Sequence, residues 1–277
     1  MNNKTFLETG IAYLELVRKH KPIIHHLTNS VTINDCANCV LALGGSPIMA
    51  DEEEEIEDIV SITSCLVLNI GTLTKRTLAS MVAAGKAAHK RAIPIVLDPV
   101  GAGASQFRTK AVQLLLQEVK PSVLRGNLSE IRCIAGLNVQ TRGVDASTED
   151  AMGDLEQEKS LARALATRLS CVVAITGAID IVSDGIITVT ISNGRERLAS
   201  VTGTGCMSTS LVGTFCSVGD DFLVSTVMGI MCMGIAGELG EMVCPHRGLG
   251  SFHQSLIDQI SLLDAQTLLS RGNINVQ

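Results

Sequence analysis

The sequence predicts an α/β fold, in which a mostly parallel central β-sheet is covered by helices on both faces. Two observations carry this prediction. Short apolar runs rich in β-branched residues alternate with longer helical patterns, as in chains built from successive βα units. The short runs are continuously apolar rather than alternating, which indicates strands buried on both faces of the sheet. Strands joined through helices are expected to run parallel with right-handed crossovers.

The elements follow one another along the chain without a repeat, a low-complexity segment or a linker, so residues 1–277 are expected to form a single domain. The predicted buried strands are Ile23–Leu27, Cys65–Ile70, Ile93–Leu97 and Cys171–Ile175. The predicted helices between them are Asn34–Leu43, Thr74–Arg91, Gln106–Glu118 and Asp154–Leu169. A late antiparallel hairpin is predicted to pair Ile186–Ser192 with Leu198–Val201 through a turn that begins at Asn193-Gly194.

The last part of the chain is predicted to be mostly helical, from Thr204 through Ala236 and over Ser251–Leu269. Its most apolar stretch, Phe222–Gly237, is shorter than the ~20 residues that a bilayer span needs. We therefore predict a buried helix and no membrane span. The acidic run Asp51–Glu55 is predicted to be a solvated helix start, where carboxylates interact favourably with the helix dipole.

Composition excludes several classes of partner. The 277 residues contain 22 Lys and Arg against 28 Asp and Glu, a net charge of −6, whereas nucleic-acid binding usually requires a basic face. There is no Trp, one Tyr and five Phe, which leaves little aromatic surface for base stacking. Nine cysteines without paired spacing, apart from Cys36 and Cys39, and an N-terminus without a signal-peptide pattern favour a reduced, cytoplasmic protein.

Ligands of open parallel sheets bind beyond the carboxyl ends of the strands. The polar or glycine-containing segments at the ends of the predicted strands are therefore the candidates for chemistry, and we expect them to form one rim. These segments are Thr28-Asn29, Asn69-Ile70-Gly71, Asp98-Pro99-Val100-Gly101, Arg125-Gly126-Asn127 and Thr176-Gly177.

The segment Val201–Ser208 carries two glycines directly before an apolar helix. Glycines let the backbone approach a ligand closely, and the free N–H groups of a first helical turn bind phosphate or an oxyanion. Cys206 is placed in that turn, where the positive end of the helix is expected to lower its pKa and suit it as a base or nucleophile. The alternative is a glycine turn followed by a small buried cysteine.

Two acidic residues are candidates for a cation site. Asp98 ends an apolar strand, and its carboxylate is typical of a Mg²⁺ ligand or of a turn cap. Glu130 is a candidate second carboxylate near the metal, with Arg125 pairing phosphate oxygens. The spacing of Asn127 and Glu130 equally describes a capping box, with Asn127 as N-cap and Glu130 at the third helical position.

Three further residues carry weaker signals. Met49 has a soft side chain suited to line a pocket for a flat heterocycle, although it is equally typical of plain core. Thr176 ends a strand and can donate to a phosphate or simply begin a turn. The adjacent His25 and His26 point to opposite faces of a strand, so they are not expected to chelate one metal ion.

Taken together, the chain from about Ile24 to His253 resembles the hydroxyethylthiazole kinase family of ribokinase-like enzymes. The segments that carry the resemblance are HHLTNSVTINDCAN, SPIMA, LVLNIGTL, LDPVGAGASQFRT, RGNLSEI, VSDG, VTGTGCM and GLGSFH. The resemblance implies a three-layer α/β/α sandwich and MgATP-dependent phosphorylation of the primary alcohol of 4-methyl-5-(2-hydroxyethyl)thiazole, in thiamine biosynthesis or salvage. It also implies a homotrimer with active sites near the subunit interfaces.

The resemblance also assigns roles to individual residues. Cys206 occupies the position of the catalytic Asp base of most other ribokinase-like enzymes. It places Asp98 and Glu130 near Mg²⁺, and it assigns contacts with the nucleotide phosphates to Arg125 and Thr176. Contacts with the thiazole are assigned to Asn29, Met49 and Gly203.

Three other classes of function are compatible with parts of this sequence pattern. A pyrimidine-alcohol kinase or an ATP-dependent hydrate dehydratase of the same superfamily usually carries Asp at the position of Cys206. A cysteine hydrolase or acyltransferase would use Cys206 as nucleophile with His25, His26 or His246 as base. A nucleotide- or thiazole-binding regulator would bind these ligands without turnover.

Overall fold

The computed structural model describes residues 2–137 and 155–277, and its strands lie in one sheet. The strands are β1 (Ile23–Leu27), β2 (Ser46–Ile48), β3 (Cys65–Asn69), β4 (Ile95–Asp98), β5 (Val123–Asn127), β6 (Val172–Thr176), β7 (Asp180–Ser183), β8 (Thr188–Ile191) and β9 (Ile274–Val276). Their order across the sheet is β2-β1-β3-β4-β5-β6-β7-β8-β9. The pairs from β2 to β6 are parallel, and those from β6 to β9 are antiparallel.

Helices cover both faces of the sheet. They are α1 (Asn3–His20), α2 (Ile33–Leu43), α3 (Ile56–Ser61), α4 (Lys75–Lys90), α5 (Gln106–Glu118), α6 (Leu128–Ala135), α7 (Leu155–Leu169), α8 (Thr204–Cys216), α9 (Phe222–Val243), α10 (Leu249–Leu262) and α11 (Ala265–Arg271). One core packs α1, α2, α8, α9 and α10 against the sheet, and the other packs α3 to α7. Successive residues of β3 alternate between them, because Val67 belongs to the first core and Leu66 and Leu68 to the second. The predicted three-layer fold class is confirmed.

The predicted strands and helices form close to their expected bounds. Among the four predicted buried strands, the largest shift is in β4, which begins two residues later than predicted and extends to Asp98. The apolar helix α9 continues to Val243, beyond its predicted end at Gly237. The predicted start of α7 at Asp154 lies outside the described residues. The sequence does not predict α1, β2, β7 or β9, and it predicts only the polar end of β5. The acidic run ends directly at α3, which begins at Ile56.

The predicted late hairpin is wrong in its pairing. β8 pairs with β7 on one side and with the C-terminal β9 on the other. Leu198–Val201 is not a strand, because Glu196–Ser200 forms a 3₁₀-helix. Leu198 packs against Gly237 of α9, and the Arg197 guanidinium lies 4.8 Å from the centroid of the Phe252 ring. These contacts with distant helices decide the conformation of a segment whose local pattern predicts a strand.

The apolar helix α9 is the core helix predicted from the sequence. In the described part of the chain it is the one helix long and apolar enough to cross a membrane, and 83% of its most apolar window is buried inside the protein. Gly229 lets it pack closely on α8, since a Cβ there would lie 2.5 Å from the Val212 nitrogen. This packing holds α8 against the sheet, where Gly213 faces Val67, and places the first turns of α8 at the carboxyl ends of the strands.

Candidate active site

The carboxyl ends of three neighbouring strands carry a chain of side-chain hydrogen bonds. Asn29, just beyond β1, donates from Nδ2 to Oδ1 of Asn69 at 3.0 Å. Asn69, at the end of β3, donates from Nδ2 to Oδ2 of Asp98 at 3.1 Å. All three side chains are almost fully buried. The rim expected at this edge of the sheet is therefore present across β1, β3 and β4.

Asn29 owes its orientation to the turn that follows β1. Its Oδ1 accepts from the backbone N–H groups of Val31 at 3.1 Å and Thr32 at 3.0 Å. This side-chain turn is typical of Asn before a helix, here α2. Because the amide oxygen is held in the turn, the amide nitrogen is directed toward the centre of the rim.

The N-terminus of α8 faces the same rim. Gly203 caps it with a φ of +89°, and a Cβ at this position would lie 2.5 Å from Cγ2 of Thr32. Cys206 follows in the first turn, where the backbone N–H groups of a helix lack intrahelical partners. Its Sγ accepts from Nδ2 of Asn69 at 3.2 Å and from Nδ2 of Asn29 at 3.3 Å. Asn29, Gly203 and Cys206 thus lie close together at this edge of the sheet.

The thiol of Cys206 has a raised pKa, contrary to the expectation from its position on the helix. Burial is the main cause, and the carboxylate of Asp98 adds to it. Hydrogen bonds from Thr32 and Asn69 and the charge of Arg125 act in the opposite direction without reversing the shift. The thiol is therefore protonated at neutral pH, which favours orientation of a ligand over nucleophilic attack.

Asp98 is buried, and its contacts converge on one carboxylate oxygen. Oδ2 accepts from Thr209 Oγ1 at 2.7 Å and from Asn69, and Arg125 Nη1 lies 3.7 Å away. Oδ1 is buried without a hydrogen-bond partner among the described residues. Burial raises the pKa of this carboxyl, while Arg125, Thr209 and Asn69 oppose the rise.

Glu130 forms the capping box that the sequence offers as an alternative. Its Oε2 accepts from the backbone N–H of Asn127 at 2.8 Å, and Asn127 Oδ1 accepts from the N–H of Glu130 at 2.9 Å. Its Oε1 accepts from the N–H of Gly101 at 2.7 Å, which ties α6 to the loop after β4. Burial, together with the charge of Asp98, raises the pKa of Glu130 to about 7.

These two acidic residues fit a divalent cation. Carboxylate oxygens are the ligands that Mg²⁺ prefers, and Oδ1 of Asp98 is buried with no hydrogen-bond partner in the part of the chain that the structure describes. The raised pKa of each carboxyl reflects burial, and for Glu130 also repulsion from Asp98; a bound cation would offset both shifts by stabilising the charged carboxylates. The described residues contain no group of three or more His, Cys, Asp or Glu placed to hold a metal. Mg²⁺ commonly takes one or two carboxylates and completes its shell with water and phosphate oxygens.

Arg125 lies beneath the start of α8. Its side chain is 11% exposed, and a Cβ on Gly205 would lie 2.9 Å from its Nη1. Thr176 ends β6 in register with Asn127, and its hydroxyl donates to the Gly126 carbonyl at 3.4 Å. The guanidinium of Arg125 and the N-terminus of α8 therefore lie side by side, an arrangement that suits binding of an anion such as phosphate.

Met49 lies on the other side of the rim, directly after the edge strand β2, and is half-buried. The next residue, Ala50, accepts through its carbonyl from Nε2 of His25 at 2.7 Å. Met49 and Thr176 thus stand on opposite sides of the Asp98 strand, at the same edge of the sheet.

The two strand histidines point to opposite faces, as predicted, and their rings are bound away from the thiol. Nε2 of His26 lies 3.0 Å from Oγ of Ser210, while His25 binds Ala50. Burial lowers the pKa of both rings, that of His26 to about 4. His246 is exposed beyond α9. The arrangement that a cysteine hydrolase needs, a base bonded to the nucleophile, is therefore absent from these residues.

Sequence reasoning assigned no individual role to three residues that organise the site. Asn69 joins Asp98 to Cys206, and its only sequence signal is a polar residue at a strand end. Thr209 binds Asp98 and lies three residues after Cys206, on the same helix face. Arg108 has no such signal, although its guanidinium donates to the carbonyls of Ile70, Val100 and Gly71 and so ties together the loops after β3 and β4.

Comparison with known proteins gives the site its context. The sequence profile of the Hydroxyethylthiazole kinase family matches residues 14–266. A hydroxyethylthiazole kinase of Ruminiclostridium cellulolyticum is 51% identical over 259 residues, which is 94% of each chain. One from Clostridium beijerinckii is 51% identical over 274 residues, which is 99% of each chain.

Solved structures agree with these sequence relatives. The structure of a hydroxyethylthiazole kinase protein from Pyrococcus horikoshii matches with a TM-score of 0.88 and 37% identity, covering 98% of this chain and 99% of that one. Staphylococcus aureus pyridoxal kinase in complex with ADP matches with a TM-score of 0.59 and 13% identity, over 79% of this chain and 88% of that one, and shows the shared fold alone. The chain is therefore a kinase that belongs to the hydroxyethylthiazole kinase family.

Proposed function

We propose that this kinase transfers the terminal phosphoryl group of ATP to the primary alcohol of 4-methyl-5-(2-hydroxyethyl)thiazole, in thiamine biosynthesis or salvage. One observation carries the proposal beyond family membership. The amide of Asn69 bonds both the Cys206 thiol and the Asp98 carboxylate, at 3.2 and 3.1 Å. In this proposal the alcohol binds beside Cys206 and the phosphate binds beside Asp98, so the two reacting groups lie next to each other at the end of β3.

Cys206 orients the alcohol in this proposal. Its sulfur is held by the amides of Asn29 and Asn69, which leaves a thiol in a fixed place at the mouth of α8. Burial keeps the thiol protonated, so it positions the hydroxyl rather than acting as a preformed base. A strong base is not required, because the transition state of phosphoryl transfer is loose and the attacking alcohol loses its proton late.

The phosphate side combines Arg125 with the first-turn N–H groups of α8. Both place positive charge where negative charge is redistributed over the transferred phosphoryl group. Asp98, with Glu130 beside it, would hold Mg²⁺, which would supply positive charge to neutralise the phosphates. Thr176 contacts the nucleotide phosphates at the end of β6, which lies two strands from Asp98.

Met49 and Gly203 border the thiazole ring. A thioether is polarizable and packs well on a flat heterocycle, and a residue without a side chain at 203 leaves the ring access to Cys206. We also propose that the enzyme acts in the cytoplasm as a homotrimer, with its active sites near the subunit interfaces.

The test is ADP release from ATP and Mg²⁺ with and without the thiazole alcohol. We expect release that depends on the alcohol, disappears with EDTA and returns with added Mg²⁺. The matched control is the thiazole with a methyl ether in place of the hydroxyl, which should give only the basal rate. Absence of alcohol-dependent release, with a pyrimidine alcohol active instead, would reassign the substrate. Light scattering at several protein concentrations tests the trimer.

A further inference from the structure

Asp98 receives its side-chain contacts unevenly. Thr209, Asn69 and Arg125 all approach Oδ2, at 2.7, 3.1 and 3.7 Å. Oδ1 is equally part of a buried carboxylate, yet it has no hydrogen-bond partner in residues 2–137 and 155–277. Leaving a buried carboxylate oxygen unpaired is costly unless a ligand completes it. The contacts on Oδ2 therefore determine which oxygen remains available.

The shortest of these contacts comes from Thr209. Its hydroxyl has a single proton and two acceptors nearby, Oδ2 of Asp98 at 2.7 Å and the Gly205 carbonyl at 3.2 Å. The carboxylate is the closer and the charged acceptor, so the proton is directed to Asp98. A threonine on a helix usually satisfies its hydroxyl on the preceding turn, and here the stronger bond reaches out of the helix instead.

Thr209 is also held rigidly. It is fully buried on α8, and this helix packs on α9 at the close approach of Gly229 to Val212. It lies one turn beyond Cys206, on the same face of the helix. One rigid helix thus presents both the thiol that faces the alcohol and the hydroxyl that binds the carboxylate.

We propose that Thr209 is a positioning residue, which holds Asp98 by Oδ2 so that Oδ1 is the oxygen offered to the divalent cation. The proposal rests on the function proposed above, in which Asp98 binds Mg²⁺. It extends that function by assigning the orientation of the ligand to a residue outside the resemblance motifs. Partners that orient a metal ligand typically contribute 10- to 100-fold to metal affinity or activity.

The experiment compares Thr209→Val, which removes the hydroxyl at nearly constant shape, with Thr209→Ser, which keeps it. Thr214→Val is the matched control, because Thr214 is also fully buried on α8 but its hydroxyl donates only to the Ser210 carbonyl, at 2.8 Å. Thr209→Ala is a second hydroxyl-free variant. For each protein, binding of Mn²⁺ in the presence of ADP is measured by electron paramagnetic resonance of free Mn²⁺, together with the Mg²⁺ dependence of kcat and the KM for the thiazole.

We expect Thr209→Val and Thr209→Ala to bind Mn²⁺ with ADP roughly 10- to 100-fold more weakly and to need correspondingly more Mg²⁺. The KM for the thiazole should change less than threefold, because the Cys206 amide contacts are retained. Thr209→Ser and Thr214→Val should bind Mn²⁺ like the parent enzyme.

Unchanged Mn²⁺ binding in the hydroxyl-free variants would overturn the proposal. Loss of folding in both of them, with Thr214→Val folded, would also overturn it, since Thr209 would then act in stability. Failure of the proposed function is distinguishable, because the unmodified enzyme would then lack Mg²⁺- and alcohol-dependent ADP release.

Discussion

Substitution of Gly203 tests how closely the rim is packed against α8. In Gly203→Ala, the new Cβ would lie 2.5 Å from Cγ2 and 3.1 Å from Cβ of Thr32. Thr32 cannot retreat easily, because its N–H donates to Asn29 Oδ1 at 3.0 Å and its carbonyl accepts from the Cys36 N–H at 2.9 Å. The substitution therefore strains the turn that orients the Asn29 amide.

The expected loss of stability has two parts. A φ of +89° costs alanine about 1–2 kcal/mol, and the overlap with Thr32 adds about 1–3 kcal/mol. Gly136 separates the two parts, since it has a φ of +86° but a Cβ there would meet nothing within 4 Å. Gly136→Ala should thus cost only about 1–2 kcal/mol, against about 2–5 kcal/mol for Gly203→Ala.

The assay is urea unfolding followed by circular dichroism at one protein concentration, together with kcat. Thr32→Ser removes Cγ2 but keeps the hydroxyl, so it should recover about 1–2 kcal/mol in the Gly203→Ala background relative to its effect alone. We also expect kcat to fall in Gly203→Ala and to stay near the parent value in Gly136→Ala. Equal destabilisation of the two alanine variants, or no recovery by Thr32→Ser, would refute this reasoning.

Three further predictions concern the Cys206 thiol, the half-buried Asp180 carboxyl and the contacts of Arg108 with two loops. Cys206→Ala removes the group that positions the alcohol and should lower kcat roughly 10²-fold in the ADP-release assay, while Cys206→Ser, which keeps a hydrogen-bonding group, should lose much less. Burial raises the pKa of Asp180 to about 7, so its folded form binds the proton more tightly and its contribution to stability falls as pH rises from about 4 to about 7. Asp180→Asn keeps the acceptor for the Gly177 N–H. In urea unfolding, it should therefore stabilise the protein by roughly 1–3 kcal/mol more at pH 8 than at pH 5. An equal effect at both pH values would contradict the raised pKa of Asp180. Arg108→Ala leaves three loop carbonyls without their donor and should lower the free energy of unfolding by about 2–4 kcal/mol. Arg168 is an exposed arginine that also donates to carbonyls, so Arg168→Ala should lower it by under about 1 kcal/mol. Similar losses in the two variants would show that the Arg108 contacts do not stabilise the loops.

Much of the candidate site can be predicted from local sequence. Strand ends are visible because a continuous apolar run stops at a polar residue, and parallel strands bring those ends to one edge. Asn29, Asp98 and Arg125 are found in this way, and the glycines before α8 identify the turn that holds Cys206. The placement of these residues at one edge is observed, and the catalytic, substrate, nucleotide and metal roles assigned to them and to Met49, Thr176 and Glu130 stay predictions.

The spacing of Asn127 and Glu130 has two interpretations, a capping box and a second carboxylate near the metal, and the two are compatible. The capping box is local, because both partners lie in one helical turn, and the sequence alone predicts it. Its second consequence is tertiary. The same carboxylate reaches the N–H of Gly101 across the sheet edge, and the charge of Asp98 adds to the rise that burial causes in the pKa of Glu130.

The sequence by itself determined the alternation of buried strands with helices, the polar strand ends and the place of Cys206 in the first turn of α8, because periodicity, caps and glycine turns act within a few residues. Only the tertiary structure decided that β9 rather than Leu198–Val201 pairs with β8, and that the Cys206 pKa rises instead of falling. Both depend on groups distant in sequence. Strand pairing depends on which segments can be buried together. The ionisation of the Cys206 thiol depends on its burial and on the nearby carboxylate of Asp98.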